Sequence, residues 1–400
     1  MCRDRTTGPE TPTLDLEAAE DRYSRLRLIP WWNEAVLGQS KVVVVGAGAL
    51  GNEIIKDLTL LGVGAILIVD DDTVETSNLS RSVLYRERDA GQPKARTAAR
   101  AARELNPDCA AFALVADVTS GVGAGVYRWA DVVICGLDNH DARLAVNRSC
   151  WSVGTPWVDG ATESLAGVAR TFIPPEGPCF ECTLGELDSK LIGARNSCGF
   201  LARAAHRHGG APTTPTTSAV IAGIQVQEAV KLLHGRGELA GRGFFFDGAS
   251  YDCFTIDYVR REDCLSHETW SNIVTTELRS DTAALSDIVA EAERVLGAGA
   301  VVDLPAEMVT RLRCRACGSE REFFRLLTAI DEREARCGKC GHVETPEVVT
   351  QCRGDEPFAA LSLEDVGFAL MEIVSARLGD QETHIEVSGD AARLFGSARD

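Results

Sequence analysis

Two kinds of residue in this chain are spaced for chemistry: glycines that would cradle a phosphate, and cysteines that would hold a metal. Gly46-Ala47-Gly48-Ala49-Leu50-Gly51 follows directly on the apolar run Lys41–Val45. In a strand–turn–helix unit the first glycine permits the tight turn, the second lets a phosphate approach the backbone, and the third lets helix and strand pack closely. Phosphate charge would then rest at a helix N-terminus. Asp70 ends the next apolar run, where an acidic side chain can hydrogen-bond a ribose hydroxyl. The turn predicts a nucleotide; alone it does not choose between NAD and ATP. Farther on, Cys314-Arg315-Ala316-Cys317 and Cys337-Gly338-Lys339-Cys340 are separated by 19 residues, with a glycine after each pair. That is the spacing of a zinc ribbon, a unit too small to fold without its metal.

These residues need elements to position them. After the first strand, β-branched runs alternate with helical stretches, the pattern of a parallel sheet wound with helices. Strands are predicted at Lys41–Val45, Ile66–Val69, Ala111–Val115, Val132–Cys135, Pro156–Val158 and Val168–Ile173. The uninterrupted run Val42–Val45 suits burial on both faces. A helix from about Ser218 to Leu233 follows the Thr-rich segment PTTPTTS, whose hydroxyls are natural N-caps. Phe244–Phe246 and Cys253–Val259 read as a hairpin. Residues 15–37 read as a helical arm ending near Pro30-Trp31-Trp32, and 281–297 as an amphipathic helix with an acidic face. A last helix carrying Leu363, Val366, Leu370, Ile373 and Val374 is expected before a strand at His384–Val387.

The expected fold is therefore α/β, a Rossmann-like doubly wound, mostly parallel sheet, followed by a zinc ribbon and a small α/β tail. The division is a disordered N-terminus (1–14), a main domain with its helical arm (15–270), a helical connector (271–305), the ribbon (306–350) and the tail (355–400).

Composition narrows the function classes. Hydrophobic residues at 45% and charged residues at 25% are those of an ordinary globular protein. A net charge of −18 argues against a nucleic-acid surface or an anionic membrane, both of which need clustered Lys and Arg. The N-terminus lacks the apolar run of a secretory signal, and no segment approaches the roughly 18 apolar residues of a membrane span. The 14 cysteines then read as thiols, ligands or nucleophiles rather than disulfides, with a cytoplasmic setting expected. Cys109, Cys135 and Cys150 fall in core patterns, His206 and His208 read as solvated, and Cys253 and Cys352 receive no role.

Asp70 and Asp72 open a DxD stretch. Ser77-Asn78-Leu79-Ser80-Arg81, Gly91-Gln92-Pro93-Lys94 and Gly136-Leu137-Asp138-Asn139 follow in order. In this series the chain resembles the ubiquitin-activating-enzyme superfamily, the adenylyltransferases of ubiquitin-like modifiers and sulfur carriers, over about residues 20–268. Ser82 departs from the pattern, since many relatives carry Gln after the arginine. The resemblance implies ATP rather than NAD, bound by Gly46, Gly48, Gly51, Asp70, Asp72 and Asn78. It implies Arg81 and Lys94 on the phosphates and Asp138 on Mg²⁺. Arg25 would reach the γ-phosphate from the neighbouring subunit of a homodimer. Carboxyl adenylation needs no protein nucleophile, only cations that offset charge on the phosphates. The resemblance also implies that Cys179 and Cys182 share a zinc with a late pair. At that place this chain offers Cys264 and His267, and three Cys with one His form a structural zinc set.

Some members of the superfamily pass the adenylated C-terminus to a cysteine; others release it for sulfur transfer. Cys198, in Arg195-Asn196-Ser197-Cys198-Gly199, matches the region of the reactive cysteine, with Arg195 and Arg203 to favour the thiolate. The plain alternative is an idle surface thiol. The expected function is adenylation of the terminal glycine of a ubiquitin-like β-grasp protein, then a thioester handed to a conjugating enzyme, with the ribbon recruiting a protein partner. The alternatives are a thiocarboxylate-forming sulfur-carrier adenylyltransferase, a non-catalytic scaffold subunit and an NAD-dependent oxidoreductase. The joint presence of Arg25, Asn78, Arg81, Lys94 and Asp138 argues against the scaffold.

Overall fold

Val42, Val43 and Val44 are wholly buried and Val45 is 1% exposed. The cause is the position of β1 (Lys41–Val45), which pairs in parallel with β2 (Ala65–Val69) on one side and β4 (Val132–Cys135) on the other. The chain is described from a computed structural model covering residues 21–185, 212–237, 239–331 and 333–396. β3 (Ala110–Leu114) flanks β2, and β5 (Trp157–Glu163) flanks β4, both parallel. Beyond β5 the sheet turns antiparallel through β6 (Ala166–Phe172), β7 (Arg242–Asp247) and β8 (Asp252–Asp257). The order is β3-β2-β1-β4-β5-β6-β7-β8. Connections from β1 and β4 therefore leave in opposite directions along the sheet, which opens a crevice at their carboxyl ends.

Alternate residues of β1 feed two cores. Val42 and Val44 pack with α2 (Ala49–Leu61), α3 (Lys94–Leu105) and α6 (Pro215–Leu233), while Val43 and Val45 pack with α4 (Ala124–Trp129) and α5 (His140–Val153). Thr214 caps α6, its hydroxyl accepting from Thr217 N–H at 3.1 Å, as the Thr-rich segment predicts. Cys109, Cys135 and Cys150 are core residues. The described part of the N-terminal arm differs from expectation. It makes only a 3₁₀ turn at Leu26–Leu28 before α1 (Glu34–Gln39) starts on an Asn33 cap. Pro30 is the reason: it holds Ile29 in extended backbone (ψ 117°) and has no N–H to continue a helix.

Residues 273–387 build a second sheet of six strands, ordered β11-β10-β13-β14-β9 with β12 also on β10. These are β9 (Ile273–Thr276), β10 (Val301–Arg313), β11 (Glu320–Leu326), β12 (Thr345–Cys352), β13 (Ile373–Leu378) and β14 (Gln381–Val387). α7 (Leu285–Leu296) buries Leu285, Ile288, Val289 and Ala292 against it. The long β10 joins both halves: Val301 and Val302 pair with β13, and Met308–Arg313 pair with β11 and β12. The helix expected from Leu363 through Val374 is corrected. α8 (Leu363–Val366) lasts one turn and stops at Gly367 (φ +92°), and Ile373 and Val374 open a strand of a hairpin.

The second sheet is seated against the α4 end of the first. Gly125 N–H donates to Met371 O at 2.9 Å, and a Cβ there would stand 2.5 Å from that carbonyl. Arg128 pairs with Glu386, and Trp129 stacks on Phe395 of α9 (Ala391–Phe395) at 4.3 Å. Among the described residues, no helix is long and apolar enough to cross a membrane.

Candidate nucleotide site and metal centres

The glycine turn sits at the carboxyl end of β1. Gly46 (φ +91°) donates to Val69 O at 2.8 Å. A Cβ on Gly51 would stand 1.9 Å from Gly46 O, so only glycine lets α2 begin so close to the strand. Gly48 is different: nothing lies within 4 Å of its Cβ position, which leaves open space over the α2 N-terminus. The first N–H groups of α2 have no intrahelical acceptor and favour an anion there. Fit of a phosphate is thus supported by the cradle itself.

Asp70 braces this turn. Its carboxylate accepts from Ala47 N–H at 2.7 Å and from Asp72 N–H at 2.9 Å. Burial raises its pKa above the usual carboxylate value, with the Lys94 ammonium and these two N–H groups pulling the other way. A carboxylate has about four lone-pair sites, so capacity remains for a ribose hydroxyl.

Two buried residues that sequence reasoning missed fasten the next segment to the turn. Asn52, wholly buried on α2, donates to Ala47 O at 2.7 Å and accepts from Leu84 N–H at 2.9 Å. Tyr85 donates its hydroxyl to the same Ala47 carbonyl at 2.6 Å. Their one sequence signal was polarity inside apolar-periodic stretches. They hold in place the segment that carries Asn78, Arg81 and Ser82. Asn78 accepts from Glu75 N–H at 2.9 Å through Oδ1. Arg81 donates to Ser77 O at 2.8 Å and pairs with no carboxylate among the described residues. The hydroxyl of Ser82 is buried and has no partner among the described residues. Lys94, at the start of α3, lies 2.7 Å from Asp72.

From the other side, Gly136 donates to Val45 O at 2.9 Å and packs on the turn, its Cβ position being 2.9 Å from Gly51 N. Asp138 follows two residues later, exposed, and takes a side-chain bond from Asn139 Nδ2 at 3.3 Å. Asn139 caps α5 through Ala142 N–H at 2.8 Å. Gly46, Gly48, Gly51, Asp70, Asp72, Lys94 and Asp138 thus lie at the carboxyl-end side of the neighbouring strands β1, β2 and β4, with Asn78 and Arg81 on the segment that Asn52 and Tyr85 fasten to the turn. Arg25 is exposed and, among the described residues, no contact ties it to them. Cys198, Arg195 and Arg203 lie outside the described residues, as do His206 and His208.

The two cysteine sets are each brought together. Sγ of Cys179 is 3.7 Å from Cys182 and 3.5 Å from Cys264, and Cys182 Sγ is 3.3 Å from His267 Nε2. Cys314 lies 3.4 Å from Cys340, and Cys317 lies 3.6 Å from Cys337. In each set all four ligand atoms fall within 4.8 Å of one another. A tetrahedron with Zn–S near 2.3 Å has edges of about 3.8 Å, so both donor sets fit zinc. The second set adds paired turns: Gly318 N–H donates to Cys314 O at 2.9 Å and Gly341 N–H to Cys337 O at 2.8 Å, both glycines at positive φ. His267 packs its ring on Trp151 at 5.0 Å, which orients the imidazole.

An open glycine turn, nearby cations and an exposed carboxylate at the switch point of a doubly wound sheet make a candidate nucleotide site. Residues 22–266 match the ThiF family, and the chain belongs to that family. The match spans the stretch that resembles the ubiquitin-activating superfamily. The chain is 36% identical over 263 residues to the SAMP-activating enzyme E1 of Haloferax volcanii, covering 63% of this chain and 90% of that one. It is 34% identical over 247 residues to a sulfur carrier protein adenylyltransferase of Thermus thermophilus, covering 59% and 87%. Among solved structures, E. coli MccB with ATP shares the fold at a TM-score of 0.52 and 21% identity, over 63% of this chain and 75% of that one.

Proposed function

We propose that this chain is an ATP-dependent adenylyltransferase of the C-terminal carboxylate of a small β-grasp protein ending in glycine. What supports the reading is the open Gly48 turn with Asp70 and Lys94 beside it at the carboxyl ends of β1 and β2, and Asp138 just after neighbouring β4. In the reaction a carboxylate oxygen bonds to the α-phosphorus as the bond to the pyrophosphate oxygen breaks. The difficulty is electrostatic, an anion approaching a polyanion. Asp70 orients the nucleotide through its ribose, and Asn78 helps fix it. Arg81 and Lys94 offset charge on the phosphates. Asp138 is the residue to hold Mg²⁺, which when bound neutralises phosphate charge. Arg25, from the second copy in a homodimer, completes the γ-phosphate site.

Both zinc sites are structural in this reading, since four protein ligands leave no open position. The first staples residues far apart in sequence; the second stabilises the β10–β12 ribbon, which recruits a protein partner. The Cys198 thiolate displaces AMP from the adenylated C-terminus to form a thioester, which is then handed to a conjugating enzyme in the cytoplasm; the Haloferax volcanii relative's name, an activating enzyme E1, supports the activation step. A second reading, release of the adenylate for conversion to a thiocarboxylate, is favoured by the Thermus thermophilus relative. Pyrophosphate exchange that depends on a Gly-terminated β-grasp protein tests the common step. Intact mass of the chain after turnover, with and without thiol, separates the readings: a reducible adduct lost in Cys198→Ser favours the first, and a sulfur-loaded partner without adduct favours the second.

A further inference from the structure

Arg143 and Asp159 form an ion pair with almost no solvent exposure, at 6% and 0%, with Nε 2.8 Å from Oδ1. Such a pair is weak evidence for stability, because desolvating both charges offsets most of their attraction. Its geometry suggests another use. The guanidinium also donates to the carbonyls of Leu137 and Gly160, the second at 3.2 Å. Leu137 immediately precedes Asp138. The neighbouring carbonyl of Cys135 is held from α6 by Gln225 Nε2 at 2.7 Å, and Gly136 N–H is held by Val45 O. The Cys135 carbonyl, the Gly136 N–H and the Leu137 carbonyl are therefore fastened from the interior, while the Asp138 side chain is braced within the described residues only by Asn139. The position of its carboxylate follows that of the loop, and the last carbonyl before it, Leu137 O, is held by Arg143.

We propose that Arg143, oriented by Asp159, is a positioning residue that fixes how far the Asp138 carboxylate reaches toward a nucleotide-bound divalent cation; this rests on the reading of Asp138 as the Mg²⁺ ligand. A planar guanidinium is suited to this because it spans a carboxylate and two carbonyls at once. The point charge of a lysine does not. The effect falls on the metal rather than on the nucleotide, since the glycine turn and Asp70 are held by other bonds.

The test uses the zinc-loaded full chain with α,β-methylene-ATP and Mn²⁺ as the spin probe, free Mn²⁺ being read by electron paramagnetic resonance. Arg143→Lys should keep its analogue affinity but weaken Mn²⁺ by about tenfold or more, the scale on which supporting residues act at metal sites. The half-saturating Mg²⁺ for pyrophosphate exchange should rise in step. Asp159→Asn should shift both in the same direction by less, and carries the test if the lysine variant does not fold. A lower melting temperature with unchanged Mn²⁺ affinity in both variants would mark a purely structural tie and overturn the inference. If Asp138→Ala leaves Mn²⁺ affinity unchanged as well, the reading of Asp138 falls and takes the inference with it.

Discussion

The Lys94 ammonium lies 2.7 Å from the Asp72 carboxylate, and the Lys94 N–H donates to the Asp72 carbonyl at 2.9 Å. The two partners differ in setting: the lysine side chain is 12% exposed and the aspartate 68%. A largely covered cation is thus held by an exposed acid, and in the proposed reading the pair faces the phosphates. Lys94→Met should lower pyrophosphate exchange by about a thousandfold, the scale of losing one preorganised charge in such a site. Asp72→Asn leaves the cation in place but releases its aim, so the KM for ATP should rise with a smaller fall in kcat. Equal effects of the two substitutions would mean that Asp72 touches the nucleotide itself.

The glycine turn separates folding from binding at two positions. Gly51→Ala puts a methyl group 1.9 Å from Gly46 O, so α2 must move off the strand, at a cost of about 2 kcal/mol or more. Gly48→Ala meets nothing within 4 Å, and its φ of −74° suits any residue. Its stability should stay within about 0.5 kcal/mol of wild type, while the methyl group occupies the space a phosphate needs. Urea denaturation and titration with ATP read the two effects apart. Tight ATP binding by Gly48→Ala would remove the phosphate from this turn.

How much of this was legible in the sequence depends on how local the cause is. β1, the glycine turn and Asp70 are local, and they stand where strand, spacing and acid placed them. The two candidate ligand sets come together as expected, the Cys314–Cys340 set legible from its spacing and the Cys179, Cys182, Cys264 and His267 set only through the family resemblance, because its halves are far apart in sequence. Leu363–Val374 misled because its apolar spacing suits a helix, whereas Gly367 in left-handed backbone and the pairing of β13 with β14 decided otherwise. β10 was hidden by Pro305 and by the register shift between Asp303 and Met308, which break any period-two pattern. Arg143 and Asp159 were hidden for a different reason: a buried charge looks like a surface charge until its partner, sixteen residues away, is known.

Metal analysis of the purified chain should give two zinc ions per chain. Replacing Cys314 and Cys337 by Ser should remove one and unfold the small core of Val309, Leu312, Ile330 and Ala335, which is too small to stand alone. For the other site the informative residue is His267. His267→Ala leaves three thiolates and should lose zinc to a moderate chelator, whereas His267→Cys restores a four-ligand set and should hold it. If His267→Ala retains zinc as firmly as wild type, the imidazole 3.3 Å from Cys182 is a neighbour and not a ligand.

Glu372 gives a pH dependence that belongs to the seam between the two sheets. It lines a cavity of about 350 Å³ there and accepts from the N–H groups of Ile373, at 3.0 Å, and Ala124. Burial pushes its pKa up to about 7 from 4.5, against the pull of those two N–H groups. The folded protein therefore keeps this proton in a range where the unfolded chain has lost it. The resulting stabilisation is complete below pH 4.5 and fades as the pH rises through 7. Glu372→Gln is neutral at every pH and lacks that slope. Its stability relative to wild type should improve by about 1–3 kcal/mol between pH 4.5 and 7.5. Loss of zinc from protonated thiolates affects both proteins alike, so the difference isolates this carboxyl. Melting temperatures of the pair across that range decide it: parallel curves would mean that Glu372 ionises as it does in the unfolded chain.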